Sequence, residues 1–269
     1  MENVEQTITT ASRNPLMDRV KIPGETIRLP SGGIFYKNGE LNSDVKNGEI
    51  HVYPLTAMSE ILLRSPDMIL NGEALTAVLN QCTPQIAEPM KLLSKDIDYL
   101  MTALRKVTYG DSMEIKYQHD CENAKEHSYT IQLSRILASS KPIDPTELNS
   151  TFTMSLPNGQ ALKLQPMRFS NVVEIMQSAN AAADNNTATI GKQLIRSVSF
   201  LITSVDEITD NEMIVEWLSE IPVSWFNDIS KAIEQISDWG PDFHYTTVCK
   251  DCGQEVELSL TLNPLTFFM

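Results

Sequence analysis

Two cysteines in the second half of the chain carry the pattern best suited to chemistry. Cys249 and Cys252 are separated by Lys and Asp and are followed by Gly253. Two thiolates at this spacing can bind one metal ion, and the glycine lets the backbone turn beneath it. Alternating apolar and polar residues precede and follow the motif, so it joins two strands. This setting disfavours a thioredoxin-like redox motif, which opens a helix.

A structural zinc ion needs four ligands, so a second segment must supply two more. Residues 121–134 match residues 249–262 in cysteine position, turn length and strand alternation. We therefore predict that the two segments meet around one zinc ion, with one histidine of the first segment completing the tetrahedron. The predicted ligands are Cys121, Cys249, Cys252 and His127, with His119 as the alternative fourth ligand; the sequence does not choose between the histidines.

One position leaves a metal-free alternative open. Ala124 stands in the first segment where Cys252 stands in the second. A single Cys-x-x-Cys motif is weaker evidence for zinc than a matched pair. The alternative is a ribbon of two hairpins that no longer binds metal. The remaining thiol, Cys82, lies in an apolar helical context and is predicted to be a buried core residue.

No other group of residues forms a catalytic constellation, and we expect a protein that is not an enzyme. The segment Ser31-Gly32-Gly33 lacks the Lys-Ser/Thr pair of a phosphate-binding loop and is predicted to be a plain turn. The four histidines form no HExxH motif, and no GxSxG motif occurs. Acidic pairs are predicted to be solvated helix faces or first turns; they are Asp96/Asp98, Asp206/Glu207 and Asp210/Glu212.

Hydrophobic spacing predicts the helices and strands that must position the cysteines. Four sets of apolar residues recur at helical spacing: Leu55, Met58, Ile61 and Leu62; Leu93, Ile97, Leu100, Met101 and Leu104; Phe169, Val172, Val173 and Met176; and Ile190, Leu194, Ile195, Val198, Leu201 and Ile202. Two more helices are predicted at about 210–220 and 223–238, with Trp217, Trp225, Phe226 and Trp239 in the core. Strands are predicted at 112–119, 127–134, 151–156, 160–165, 243–248 and 255–262.

The two halves of the chain share one plan. Residues 52–61 and 164–175 each predict a strand, a proline and an amphipathic helix, and each half then leads into a cysteine-containing hairpin. The predicted fold class is α+β, with two similar helix-plus-hairpin units, produced by internal duplication, joined through a zinc-ribbon-like pair of β-hairpins. The predicted domains are a flexible N-terminal arm (1–24), a first unit (25–138), a linker (139–150) and a second unit (151–269).

Composition restricts the partners. The chain has 269 residues and a net charge of -14, with 35 acidic and 21 basic residues. Because phosphate backbones repel such a chain and its basic residues are scattered singly, nucleic-acid binding is disfavoured. No apolar stretch is long enough for a secretory signal or a membrane span, so we expect no membrane partner.

Two stretches resemble a known family. The first is residues 27–82, with a Leu-Pro-Ser-x-Gly turn, an aromatic strand, a strand-Pro-Leu-Thr step and a Ser-Pro break between helices. The second is residues 249–268, a cysteine hairpin that closes on Asn-Pro and two aromatic residues. Together with the middle hairpin, they resemble baseplate hub proteins of T4-like phages. The sequence departs from a pair of Cys-x-x-Cys turns at Ala124. This departure affects the prediction of a metal site and not the predicted fold.

The resemblance implies a non-enzymatic structural or assembly protein of a contractile phage tail. Such a protein binds other baseplate and hub proteins, either as a lasting hub subunit or transiently, as a chaperone-like factor during hub assembly. It implies no nucleic acid, membrane or small-molecule substrate as partner. It places the chain in the host cytoplasm during assembly and, for a lasting subunit, in the baseplate of the virion tail. The alternative function is a zinc-ribbon adaptor of a nucleic-acid or transcription complex.

Overall fold

A computed structural model of the chain describes residues 23–121, 125–146, 148, 152–181, 187–260 and 267–268. Nearly all of the predicted N-terminal arm, residues 1–22, lies outside this part of the chain. Within the described residues the protein is a mixed α and β structure with small antiparallel sheets. None of the described helices is long and apolar enough to cross a membrane.

The first half begins with a two-stranded sheet, continues with helices and ends in a second hairpin. Strands β1 and β2 pair antiparallel, as do β3 and β4. In chain order its elements are β1 (Glu25–Arg28), β2 (Glu49–Val52), α1 (Ala57–Leu62), α2 (Pro66–Leu70), α3 (Glu73–Cys82), a 3₁₀ turn (Pro89–Lys91), α4 (Ser94–Tyr109), β3 (Ser112–Tyr117), β4 (His127–Gln132) and α5 (Leu133–Ala138).

The second half repeats the order of hairpin, helices and hairpin. Strand β6 lies between β5 and β7 in a three-stranded sheet, and β8 pairs with β9. Its elements are β5 (Thr153–Ser155), β6 (Ala161–Leu164), α6 (Phe169–Ala181), α7 (Thr187–Ser199), β7 (Ile202–Val205), α8 (Asn211–Glu220), α9 (Val223–Ile236), β8 (His244–Val248) and β9 (Glu255–Ser259).

Helix α4 is the central helix of the first half, and its predicted apolar face is confirmed. The five residues at helical spacing, Leu93, Ile97, Leu100, Met101 and Leu104, are all buried. The helix ends at Gly110, whose φ of 93° belongs to a region that residues with a Cβ rarely adopt. Helix α1 differs from the prediction, because Met58 and Ile61 on its apolar face are more than 60% exposed.

The apolar run at the end of α7 was predicted to be wholly helical, and this prediction is wrong for its last residues. Helix α7 ends at Ser199, and Ile202 begins strand β7. Strand β7 pairs with β6, which places Val205 opposite Leu162. Because both a helix and a buried strand can bury a continuous apolar run, hydrophobicity alone does not locate the change between them.

Two main hydrophobic cores form, and each takes residues from the other half of the chain. The first core is built from the first half but includes Leu260, Phe267 and Phe268. The second core is built from the second half, with Phe35 and Ile143 packed against it. The Trp and Phe residues predicted to be core are confirmed, since Trp239 is buried and the others pack against the second core.

The described part of the predicted linker is fixed to both halves. Lys141 and Gly240 exchange two backbone hydrogen bonds, of 3.0 and 2.8 Å. The backbone N–H of Ile143 donates to the carbonyl oxygen of Pro30 at 3.0 Å. The segment therefore runs between the second half and the turn that follows β1.

Candidate metal centre

The two cysteine hairpins lie side by side. Tyr129 on β4 packs with Cys249, Val256 and Leu258 of the β8–β9 hairpin in a small hydrophobic cluster. Both hairpins are antiparallel, so each returns its chain to the same end. The described residues of the two hairpins, 112–121 and 125–134 in the first and 243–260 in the second, are therefore close in space, as a shared cysteine site requires.

Turns at the ends of these hairpins present the potential ligands. His119 and Cys121 follow β3, which ends at Tyr117. Cys249 and Cys252 lie in the turn between β8 and β9. That turn is closed by hydrogen bonds from the N–H of Cys249 to the carbonyl of Gln254 and from the N–H of Gly253 to the carbonyl of Cys249. Gly253 has a φ of 77°, which explains why glycine follows the second cysteine.

Four potential ligand atoms converge between the hairpins. One ligand atom from each of His119, Cys121, Cys249 and Cys252 lies within 4.8 Å of all the others. The Sγ atoms of Cys121 and Cys249 are 4.0 Å apart, and Sγ of Cys252 is 3.4 Å from Nδ1 of His119. In a tetrahedron with Zn–S of about 2.3 Å and Zn–N of about 2.0 Å, the S···S and S···N edges are about 3.8 and 3.5 Å. The donor set and its spacing therefore fit a tetrahedral ion.

The cluster is enclosed on most sides. Cys249 is 2% exposed, while Cys121 and His119 are half-buried and Cys252 is exposed. Three sulfur ligands and one imidazole favour zinc among the common divalent ions, because oxygen ligands suit magnesium and calcium. All four positions of a tetrahedron would be filled by protein atoms, which is typical of structural and not of catalytic zinc.

The surroundings already favour ionisation of one thiol. Backbone N–H groups of Cys252 and Asp251 in the turn lower the pKa of Cys249 to about 6. Burial, together with the neighbouring thiols of Cys252 and Cys249, raises the pKa of Cys121. Three thiolates this close repel one another, and a bound cation would remove that repulsion.

The structure places His119, and not the preferred His127, in the cluster. Nε2 of His127 lies 2.9 Å from Oδ1 of Asp251. The other oxygen, Oδ2, accepts a hydrogen bond from the backbone N–H of Lys125 at 2.9 Å, and this contact lowers the pKa of Asp251. Asp251 lies between the two cysteines of the turn, so His127 holds the turn against the first hairpin from outside the cluster. Ala124 lies outside the described residues.

A lysine next to the cluster makes a further contact between the hairpins. The ammonium group of Lys250 donates to the carbonyl oxygen of Ser128 at 2.6 Å and lies 5.0 Å from the ring centroid of Tyr129. Lys250 and Asp251, which directly follow Cys249, therefore both hold this turn against the first hairpin, next to the four ligand atoms.

A buried carboxylate was missed by sequence analysis. Asp96 was predicted to be exposed to solvent. This prediction is wrong, because Asp96 is 0% exposed. Its carboxylate accepts hydrogen bonds from the N–H and hydroxyl of Ser31 and from the hydroxyl of Tyr36. Asp98 is half-buried. The other acidic residues of the predicted solvated pairs, Asp206, Glu207, Asp210 and Glu212, are exposed, as predicted.

Asp96 fixes the turn that was considered and rejected as a phosphate loop. Ser31 is fully buried and contacts the Asp96 carboxylate. Gly32 and Gly33 have φ values of 62° and 82°. Because Ser31 is hydrogen-bonded within the protein, it is not offered to a ligand. Cys82 is also buried, as predicted, and its thiol faces the carbonyl oxygen of Pro54 at 3.7 Å.

The fold is that of a mixed α and β protein, and its clearest chemical feature is a cluster of three cysteines and one histidine that could hold a metal ion. Comparison with protein families then identifies the class to which it belongs. Residues 40–269 match the family described as T4 bacteriophage base plate protein. Because the match covers most of the chain, the protein belongs to this family. Neither a curated protein nor a solved structure matches the chain.

Proposed function

We propose that this protein is a non-enzymatic structural or assembly protein of a phage tail baseplate hub, and that it acts by binding other baseplate proteins. The observation that carries the proposal is the family match over residues 40–269. It is supported by the chemistry of the side-chain cluster, because three cysteines and one histidine would fill all four positions of a tetrahedral ion and suit a structural ion and not a reaction. The protein would act in the host cytoplasm during assembly and, as a lasting subunit, in the virion baseplate.

Quantitative mass spectrometry of purified virions and of hub assembly intermediates tests the proposal. A lasting subunit is expected in virions at a fixed ratio to other baseplate proteins. A chaperone-like assembly factor is expected in intermediates and not in virions. Cross-linking of the intermediates should join this chain to hub or baseplate proteins. Absence from both virions and intermediates would contradict the proposal.

We also propose that His119, Cys121, Cys249 and Cys252 bind one structural zinc ion. The ion would join segments that are 128 residues apart in the sequence, counted from Cys121 to Cys249. Because the two hairpins come from different halves of the chain, the free energy of zinc binding would add to the free energy of folding. The enclosed, sulfur-rich ligand set supports this role.

Substitution of the cysteines tests the zinc site. Protein purified without chelator should contain one zinc per chain, and C121S and C249S should lose it. Each substitution should lower the melting temperature by a similar amount, on the order of 10 °C, because each leaves an incomplete tetrahedron. C82S is the matched control, since it changes a buried thiol outside the cluster and should retain zinc. Wild-type protein without zinc would sink the proposal.

The two histidines separate the two ligand assignments. H119A should weaken zinc binding by more than about tenfold, because it removes a ligand. H127A should retain one zinc per chain, because His127 contacts Asp251. Competition with a chromogenic chelator measures both affinities. If H127A loses zinc and H119A keeps it, the ligand set proposed here is wrong.

We propose further that the two halves arose by duplication of one unit. The order of hairpin, helices and cysteine hairpin in each half supports this origin. Strand β7 and helix α5 have no matching element in the other half within the described residues. If the first hairpin descends from one that carried a complete Cys-x-x-Cys turn, A124C should preserve zinc binding. Loss of zinc in this variant would count against that origin.

The alternative function is a zinc-ribbon adaptor of a nucleic-acid or transcription complex. The paired cysteine hairpins favour it, but a net charge of -14 opposes contact with phosphate. Gel-shift titrations at several salt concentrations distinguish the two functions. Tight, salt-dependent binding of DNA or RNA would favour the adaptor, whereas the baseplate proposal expects no such binding.

A further inference from the structure

The cysteine cluster is open to solvent at one residue. Cys252 is exposed, whereas Cys249 is 2% exposed and Cys121 is half-buried. Oxidants attack accessible thiolates first, and oxidation goes on to a disulfide when a second thiol lies next to the first. An oxidant that approaches from solvent therefore meets Cys252 before the other two cysteines.

Both other thiols lie close enough to react with an oxidised Cys252. Their sulfur atoms are among the four ligand atoms that lie within 4.8 Å of one another. Cys249 belongs to the same short turn as Cys252, and that turn is held by hydrogen bonds from Cys249 to Gln254 and from Gly253 to Cys249. A disulfide inside this turn would link two residues that the turn already holds together. Cys121 belongs to the other hairpin, so it can approach without breaking those hydrogen bonds.

We propose that the cluster is also a peroxide-sensitive site, in which oxidation of Cys252 leads to a Cys121–Cys252 disulfide that joins the two hairpins. Formation of the disulfide does not depend on the proposed metal site. Only the expected release of zinc rests on that proposal. In this proposal peroxide oxidises the cysteine cluster, and the protein does not catalyse a redox reaction on a substrate.

The chemistry involves two thiols and one hydrogen peroxide. The thiolate of Cys252 attacks one peroxide oxygen, so that an S–O bond forms, the O–O bond breaks and hydroxide leaves. The sulfur of Cys121 then attacks the sulfenic sulfur, so that the S–S bond forms and the S–O bond breaks; the leaving hydroxide takes up the thiol proton of Cys121 to give water. The two sulfurs lose two electrons, and the peroxide is reduced to two water molecules. A zinc ion bound at this site would lose two of its four ligands and would dissociate.

Linkage of the hairpins would persist through this change. Zinc and the disulfide both connect the turn after β3 to the turn after β8, so one connection replaces the other. The disulfide closes a loop of 131 residues, counted from Cys121 to Cys252. A disulfide between Cys249 and Cys252 would close a loop of only three residues. This difference makes the two products distinguishable by gel migration.

The test uses full-length, zinc-analysed protein treated with hydrogen peroxide. Denatured, non-reducing electrophoresis should show most of the protein as a faster-migrating band, because the long loop makes the unfolded chain more compact. Reductant should return the original band, and peptide mapping should identify the Cys121–Cys252 bond. A chromogenic chelator should detect about one zinc released per chain, as expected for a single tetrahedral site.

Three variants make the assignment specific. C121S should abolish the fast band, and C249S should retain it, because Cys249 takes no part in the bond. C82S is the control and should behave as the wild type does. Peptide mapping of the oxidised wild-type protein keeps the test valid even if C121S folds poorly, because it identifies the bonded cysteines without any substitution.

The outcomes separate this inference from the metal proposal. A zinc-bound protein that gives no disulfide, or only a Cys249–Cys252 bond, overturns the inference and leaves the metal site standing. A protein without zinc that still forms the fast band overturns the metal proposal and supports the thiol pair. Zinc release together with the mapped Cys121–Cys252 bond supports both.

Discussion

At the scale of single residues, Asp96 shows how a polar side chain can organise a turn from the centre of the protein. It lies in the first turn of α4 and accepts hydrogen bonds of 3.1 and 2.5 Å from Ser31 and of 2.7 Å from Tyr36. The same Tyr36 hydroxyl accepts the backbone N–H of Leu93 at 2.9 Å. The carboxylate thus connects the turn after β1 to the start of α4.

Burial makes this connection pH-dependent. Desolvation raises the pKa of Asp96 to about 6, although the hydrogen bonds from Ser31 and Tyr36 oppose the change. A folded pKa above the unfolded one means that stability is greatest when the group is protonated. The contribution is complete below the unfolded pKa of about 4 and is lost as pH rises through 6.

We therefore predict that acidification from pH 7.5 to 5 increases the contribution of Asp96 to the free energy of unfolding. Between pH 7.5 and 5 the increase is on the order of 1.4 kcal/mol, because pH 5 lies about one unit below the folded pKa of about 6. D96N should reduce this pH dependence in urea titrations. D67N is the control, because Asp67 is exposed and lies outside the hydrogen bonds of Ser31 and Tyr36. An unchanged pH dependence in D96N would contradict the assignment.

The sequence predicted part of the residue-scale chemistry. The spacing of Cys249 and Cys252, and the matching position of Cys121, brought together three of the four clustered residues. The choice between His119 and His127 depended on how a turn directs two side chains, which periodicity does not encode. Asp96 was missed because Ser31, its buried partner, lies 65 residues away in the sequence.

At the scale of elements, the start of α6 is fixed against the first half of the chain. Arg168 donates to the carbonyl oxygens of Lys91 and Phe35 at 2.7 and 2.8 Å. The same guanidinium lies 3.1 Å from Oε2 of Glu40. Both side chains are largely buried, at 17% and 11% exposure, so the contacts are shielded from solvent.

Loss of this guanidinium should be costly. We predict that R168A lowers the free energy of unfolding by about 3 kcal/mol, because it leaves a largely buried carboxylate and two carbonyl groups without their partner. R168K should recover only part of this loss, since an ammonium group cannot reach three acceptors in the same planar arrangement. Urea denaturation of both variants measures the effect.

The matched control is a second Arg–Glu pair on the surface. Arg64 and Glu60 form an ion pair at 2.6 Å within one exposed helical turn. R64A should cost less than about 1 kcal/mol, because such pairs are weakened by solvent. Equal losses in R64A and R168A would show that Arg168 does not connect the two halves as described.

Sequence patterns located most elements, and their failures have physical causes. Alternation found both cysteine hairpins, and helical spacing found α4, α8 and α9 within a few residues. Strand β7 was missed because a helix and a buried strand meet within one apolar run. The exposed face of α1 shows that amphipathic spacing predicts a helix without stating whether its apolar side is covered.

At the scale of the whole molecule, the two cores depend on residues from distant parts of the chain. Phe267 and Phe268 are 1% and 3% exposed within the first core. Arg105 on α4 donates to the backbone carbonyl of Phe267 and lies 5.4 Å from the centroid of its ring. Residues far along the sequence therefore complete the core that α3 and α4 begin.

The two ends of the chain should respond differently to change. F267A should lower the free energy of unfolding by about 3–5 kcal/mol, because it removes a fully buried ring. Deletion of residues 1–20 should leave the melting temperature nearly unchanged, because this segment has no apolar periodicity and the described residues of both cores lie later in the chain. Thermal unfolding compares the two variants. A large loss on deletion of residues 1–20, or a silent F267A, would contradict this account.

The position of Phe267 also determines when the first core can be completed while the chain is being synthesised. The elements of the first half are complete at Ala138, yet the ring that fills their core is made about 130 residues later. At bacterial translation rates of about 5–20 residues per second, this interval is on the order of ten seconds. During it, the apolar slot beside Arg105 has no aromatic ring to fill it. A growing chain of this protein therefore completes its first core only after Phe267 and Phe268 have been synthesised.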